Sequence, residues 1–203
     1  MTTTKIDAAA VKQLRDATGA AMMDCKRVLE ETGGNHDEAV KLLRTRGTAK
    51  ADKLGSRETT EGTVASYIHG GKIGVLLEVG CNTDFVARND EFQQFCQDVA
   101  MHIAAMAPKY VTRDEVPAEL VASELEIFKA QAADKPEQIR EKIATGKLDK
   151  WYSDVALLEQ PWVRGKEKFG KDVTIEELRA QVSAGTGENV VIRRFVRYAL
   201  GES

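Results

Sequence analysis

Cysteine is scarce in this chain. There are three among 203 residues, Cys25, Cys81 and Cys96, and they lie far apart. They form no Cys-x-x-Cys pair and no Cys/His cluster at zinc-ligand spacing, which argues against a disulfide framework and a structural zinc and for a reduced compartment. Long apolar runs are also missing. None approaches the ~20 residues that a membrane-spanning helix needs, so no membrane contact is expected. The opening Met1-Thr2-Thr3-Thr4-Lys5-Ile6-Asp7 has neither the apolar stretch of a secretory leader nor an Arg-rich transit pattern, and a cytoplasmic protein is the expectation. Nor is there a surplus of positive charge. The formal net charge is −3, and basic and acidic residues are interspersed along most of the chain. Proteins that live on nucleic-acid phosphates usually carry a basic excess, so the expected partner is a protein and no direct nucleic-acid contact is predicted. No phosphate-binding loop, dinucleotide fingerprint, zincin motif or nucleophile elbow occurs.

What is present has globular proportions. Hydrophobic residues make up 42% and charged residues 30%, enough for one ordinary domain with room for a small helical module. Residues from about Asp7 to Gly47 read as three short helices. Ala10, Val11 and Leu14 form the first apolar stripe, with Gly19 as its stop. Cys25, Val28 and Leu29 form the second, ended by Gly33-Gly34. Asn35 with Glu38 opens the third as in a capping box, and Gly47 follows its stripe. Such a bundle buries little apolar surface and usually serves binding. Met22 lies at the edge of the second stripe and Met23 points away from it. Met23 is either adaptable surface for another protein or packed on a neighbouring part of the chain.

Residues 48–61 read as a linker, with room for some helix. The period then changes to that of strands. Thr63 to His69 and Lys72 to Val79 join at Gly70-Gly71, a hairpin signal, and Ile73, Val75, Leu77 and Val79 alternate toward a core. Asn89-Asp90-Glu91 opens a helix whose buried stripe is Phe92, Phe95, Cys96, Val99 and Ile103, closed by Pro108. Two charged helices, about 118–133 and 136–158, are joined by Asp134-Lys135-Pro136 and predict a protruding antiparallel helical hairpin. Residues 190–200 are rich in β-formers and fit a third strand. Gly185 and Gly187 are placed in a turn before it.

Between the second strand and the Asn89 helix lies Thr83-Asp84-Phe85-Val86, on a connection positioned by rigid neighbours. Two readings stay open. Phe85 plugs the local core while Asp84 caps a turn, or Phe85 projects as an anchor into a partner pocket. An enzyme needs convergent titratable groups, and His36, His69 and His102 are scattered. Cys81 has no histidine partner in view, so a Cys/His nucleophile is weakly supported. No metal or cofactor site is predicted. A pure adaptor is the remaining alternative, with the helices binding a peptide or ubiquitin-like partner.

The chain resembles bacterial elongation factor Ts over nearly its whole length. The resemblance rests on Leu14-Arg15, Thr18-Gly19-Ala20, Met22-Met23-Asp24-Cys25-Lys26, Leu43-Arg44 with Gly47, and Gly74-Val75. It continues through Thr83-Asp84-Phe85-Val86-Ala87-Arg88-Asn89, Leu158-Glu159-Gln160-Pro161, Gly187-Glu188-Asn189-Val190 and Arg193-Arg194-Phe195-Val196-Arg197. It implies an α+β protein: a ubiquitin-associated-like three-helix module at 1–47, a linker at 48–61, and at 62–203 a small antiparallel sheet with flanking helices and a protruding coiled-coil hairpin at about 118–158. It implies a guanine nucleotide exchange factor and not an enzyme. Such a factor binds elongation factor Tu in its GDP form and promotes GDP release. Thr83, Asp84, Phe85 and Val86 would dislocate the partner's Mg²⁺, and Met22 and Met23 would contact its nucleotide-binding domain. The chain resembles a short form with one core repeat, so a second contact surface would come from another copy in a homodimer formed through sheet or helix contacts. The charged stretch 164–172 departs from the family pattern and receives no structural expectation.

Overall fold

Polar caps and glycines set the limits of the first helices. The computed structural model describes residues 6–202, so residues 1–5 of the expected first module and residue 203 lie outside the description. Helix α1 (Ala8–Thr18) starts where the Asp7 carboxylate accepts the Ala9 amide at 3.3 Å, and it stops at Gly19, which adopts a left-handed φ of 64°. Helix α2 (Met22–Glu31) ends before Gly33 and Gly34, both at positive φ. Helix α3 (His36–Leu54) opens with Asn35 accepting the Glu38 amide. Val11, Leu14, Cys25, Val28, Leu29, Ala39 and Leu43 interlock as one small core.

One boundary differs from the sequence reading. Gly47 does not end α3, which runs on to Leu54 through most of the expected linker. A mid-helix glycine costs only about 1 kcal/mol. Burial of Ala51 and Leu54 against the rest of the protein outweighs it.

Strands β1 (Glu61–His69) and β2 (Ile73–Cys81) form an antiparallel hairpin in which the Lys72 amide donates to His69 O at 3.0 Å across Gly70 and Gly71, both at positive φ. Two short connections then lead through α4 (Asp84–Ala87) to α5 (Asp90–Met106), capped by Asn89. All five residues of the predicted α5 stripe are buried, on the face that covers Val75, Leu77 and Val79. Helices α6 (Ala118–Ala130) and α7 (Glu137–Val155) follow and pack on each other, with Ala144 buried between them.

The stretch left without an expectation contains α8 (Gly165–Phe169), which ends at Gly170 with φ 69°. Helix α9 (Ile175–Thr186) was not anticipated. It opens with a reciprocal capping box, in which Thr174 Oγ1 accepts the Glu177 amide at 3.2 Å and the Glu177 carboxylate accepts the Thr174 amide at 3.1 Å. Gly185 therefore lies inside a helix and not in a turn, and Gly187 is the left-handed cap of that helix, at φ 74°. Strand β3 (Val191–Ala199) completes a sheet of order β1-β2-β3. A bulge opposite Glu78/Val79 shifts the register, so that Ile192 and Phe195 both reach the core side. Helices cover one face of this antiparallel sheet, and the α+β class holds.

Helix α3 packs along α9, which ties the three-helix unit to the sheet body. Lys50 Nζ donates to Ala184 O at 2.6 Å, and Arg44 pairs with Glu177. Gly19 is pressed so close to Gln181 of α9 that a Cβ there would collide with its side-chain amide.

Candidate functional site

The chain leaves β2 at Cys81 and makes one helical turn before α5. Thr83 is extended, with φ −129° and ψ 155°, and its hydroxyl accepts the Val86 amide at 3.4 Å. This is the role of an N-cap, and Thr83, not Asp84, fills it. Below the turn, Ala87 is buried and Val86 packs against the main core. The Ala87 carbonyl accepts from Gln93 Nε2, which also donates to Thr63 Oγ1 at 2.8 Å. Asn89 begins α5 immediately afterwards, its side chain accepting the Glu91 amide at 2.8 Å.

In so short a helix, two side chains that point inward force their neighbours out. Asp84 lies at the surface, paired with Arg88. Phe85 is 81% exposed. The plug reading is overturned, because the core beneath is filled by Val86 and Ala87 and leaves the ring in solvent. Burying a phenylalanine ring is worth roughly 2–3 kcal/mol, and on this turn that apolar surface is left in solvent.

Met22 and Met23 begin α2. Met23 is 72% exposed and Met22 is 44% exposed, so neither completes the core of its helices. The alternative that Met23 packs on another part of the chain does not hold. The two sets of candidate residues stand on separate hydrophobic cores and do not form one pocket.

Of the groups considered for catalysis, His102 and the three cysteines are held in the structure as follows. His102 is fully buried. Its Nδ1 accepts the Val163 amide at 3.1 Å, which assigns the proton to Nε2, facing Gln160 Oε1 at 2.9 Å. Burial pushes its pKa down from 6.5 to about 4, so the ring is neutral. The Cys81 thiol donates to Thr83 O at 3.2 Å, and burial, with the nearby Glu188 carboxylate, raises its pKa. Cys25 and Cys96 are buried, and burial pushes Cys96 up to about 12. None is a poised thiolate. Among the described residues no three His, Cys, Asp or Glu side chains gather to hold a metal ion, and no helix is long and apolar enough to cross a membrane.

The sequence reading missed a polar hub behind the turn. Glu188 and Asn189, which follow α9, reach back to Asn82 and Thr83. The partners are more than a hundred residues apart, and no local periodicity joins them.

A family model described as elongation factor TS matches residues 8–202. The chain is 54% identical over 200 residues to elongation factor Ts of Geobacter metallireducens, covering 97% of this chain and 90% of that protein. It is 55% identical to elongation factor Ts of an Anaeromyxobacter species over 98% of the chain and 90% of that protein. For elongation factor Ts of Geobacter sulfurreducens the identity is 52%, with 97% and 90% covered. With a family match over residues 8–202 and relatives more than half identical over nearly all of its length, this chain belongs to the elongation factor Ts family.

Proposed function

We propose that this chain, which as a family member is a nucleotide exchange factor of translation elongation, frees GDP from elongation factor Tu by dislocating the partner's Mg²⁺ with the Thr83-Asp84-Phe85-Val86 turn. The observation that carries this reading is the 81% exposure of Phe85 on a turn anchored from below by Val86 and Ala87. The ring wedges between partner side chains near the metal, and Asp84 engages the same region. Met22 and Met23 contact the nucleotide-binding domain with adaptable apolar surface. This chain makes and breaks no bond.

The energetics require differential binding alone. The factor must hold the nucleotide-free partner more tightly than the GDP form, and by reciprocity GDP weakens factor binding by the same ratio. A wedge that fits only a distorted metal site meets that requirement without touching the nucleotide.

The reading extends to organisation. Two separate cores support a three-helix module, whose last helix runs on to Leu54, and a sheet body that begins with β1, with α6 and α7 as a coiled-coil-type arm. The outer face of the sheet exposes Val64, Ile68, Leu76, Val196 and Tyr198 together. A second copy of the chain covers this face in a homodimer, because a two-fold axis brings the same apolar patch onto itself. Light scattering tests the dimer. A monomeric mass at working concentration would refute it.

Release of a fluorescent GDP analogue from elongation factor Tu tests the central claim. The native chain accelerates release, and Phe85→Ala loses most of the acceleration with its fold intact. Full activity of both Phe85→Ala and Asp84→Ala would remove the wedge role.

A further inference from the structure

The Gly187-Glu188-Asn189-Val190 segment has no part in the reading above, yet its geometry converges on the acting turn. We infer that Glu188 is a positioning residue for exchange: its carboxylate fixes the N-terminal end of α4 and thereby aims Phe85.

The carboxylate takes three donors from two residues. Oε2 accepts the Asn82 amide at 2.9 Å and the Thr83 amide at 3.0 Å. Oε1 accepts the Thr83 hydroxyl at 2.6 Å. That last bond matters beyond its own strength. It orients the Thr83 hydroxyl so that its lone pairs face the Val86 amide, which is the cap of α4. A hydroxyl that donates to a carboxylate is also a stronger acceptor, so the two bonds reinforce each other. One charge thus satisfies the strand exit and sharpens the helix start.

The clamp is itself held firmly. Gly187, at φ 74°, turns the chain sharply out of α9 and leaves Glu188 facing the end of β2. The Glu188 carbonyl accepts the hydroxyl of Ser183, which is fully buried. The next residue repeats the link. The Asn189 amide donates to Asn82 Oδ1 at 2.9 Å, and Asn189 Nδ2 donates to Arg57 O at 2.9 Å. Asn82 Nδ2 donates to Glu58 O at 2.6 Å. Three remote segments meet here: the exit of α3, the exit of β2 and the exit of α9. Val86 and Ala87 seat the turn from below and the Cys81 thiol holds Thr83 O, and the Glu188 carboxylate adds the charged tie to the start of α4.

A positioning role has a kinetic signature. If the turn samples other conformations without the clamp, the competent fraction falls and the apparent affinity falls with it, while the fully bound complex keeps its maximal rate. Loss of Phe85 instead lowers the maximal rate. The inference rests on the wedge reading of Phe85, and the experiment separates the two.

GDP release from elongation factor Tu is measured as a function of factor concentration for Glu188→Ala, Glu188→Gln, Phe85→Ala and the Glu188→Ala/Phe85→Ala pair. Amide hydrogen exchange of the four proteins is followed at Thr83 to Val86 and at Leu77. The expectation for Glu188→Ala is a half-saturating concentration raised about tenfold with the maximal rate within twofold. Its amides at Thr83 to Val86 exchange faster, and that of Leu77 is unchanged. Glu188→Gln keeps one acceptor and the shape of the side chain, and gives an intermediate effect in both readouts even if the alanine variant folds poorly. In the Phe85→Ala background the alanine change at 188 adds little. Native half-saturation and native amide exchange in Glu188→Gln and Glu188→Ala would overturn the inference while a defective Phe85→Ala left the wedge standing. A fully active Phe85→Ala would remove the wedge, and faster amide exchange would then show only a structural clamp, which also overturns the role in exchange.

Discussion

The two exposed apolar sites proposed above to meet the partner are built differently. Met22 and Met23 sit at the start of a helix with no side-chain cap, on a small three-helix core. Phe85 sits on a single turn, which is capped by Thr83, seated on the main core and tied to Glu188. The first is a soft surface of flexible thioethers, and the second is a rigid ring on a braced mount. On the proposed function, a soft contact would adapt to whatever state the partner is in and discriminate little, while a braced ring would fit one state and so shift an equilibrium.

Chemistry at the two positions is the strongest way to break this comparison. Phe85→Leu keeps an apolar side chain and loses the ring, and is expected to slow saturated GDP release by about 30-fold or more, as for a hot-spot aromatic. Met23→Leu is expected to change nothing beyond twofold. Equal tolerance at both sites would erase the distinction between soft and braced.

The next effect is on stability and separates the two cores. His102 is buried and neutral in the body, while the core of the helical unit holds no histidine. Its folded pKa of about 4 lies below the ordinary 6.5, so the unfolded chain binds the extra proton between these values. The sign follows: the body is at full strength above about pH 6.5 and weakens as pH falls toward 4, by on the order of 3 kcal/mol. Denaturant titrations at pH 7, 6 and 5, read at the body tryptophans Trp151 and Trp162, should show the decline, and His102→Asn should flatten it. The same decline in the variant would assign it to the carboxylates instead.

Removing both methionines, in Met22→Ala/Met23→Ala, should raise the half-saturating concentration about tenfold with the maximal rate kept, because uniform binding is lost. A fall in maximal rate would mean that the helical unit also shapes the partner's metal site. The smallest expected change is Thr83→Val, which removes the cap hydroxyl at about 1 kcal/mol of local stability and a few-fold in half-saturation. Hydrogen exchange at Val86 reports it directly.

Much of this molecule was legible in the chain. The α5 stripe, the glycine hairpin and the third strand follow from period and turn chemistry, and all are found where the pattern puts them. The exceptions have physical causes. Helix α3 overruns Gly47 because its second half finds α9 to bury against, a tertiary gain invisible in a local window. Helix α9 carries a readable signal in the sequence, Thr174 three residues before Glu177. For Phe85 the pattern could not decide. A four-residue turn has no periodicity, and whether its aromatic points in or out depends on which neighbours fill the core first. Glu188 was hidden for a simpler reason, since its partners are distant in sequence.

The unbroken course of α3 has a consequence for how the two contacts cooperate. Seven residues beyond Gly47 extend the helix by about 10 Å, and its side is fastened to α9 by Lys50 and Arg44. A flexible tether would let each contact find its target independently and would raise only local concentration. A fastened rod fixes the span between the methionines and the ring, so the chain behaves as a caliper. On the function proposed above, a partner that gripped both jaws would have to match that span, and a mismatch would be felt as strain in its nucleotide site.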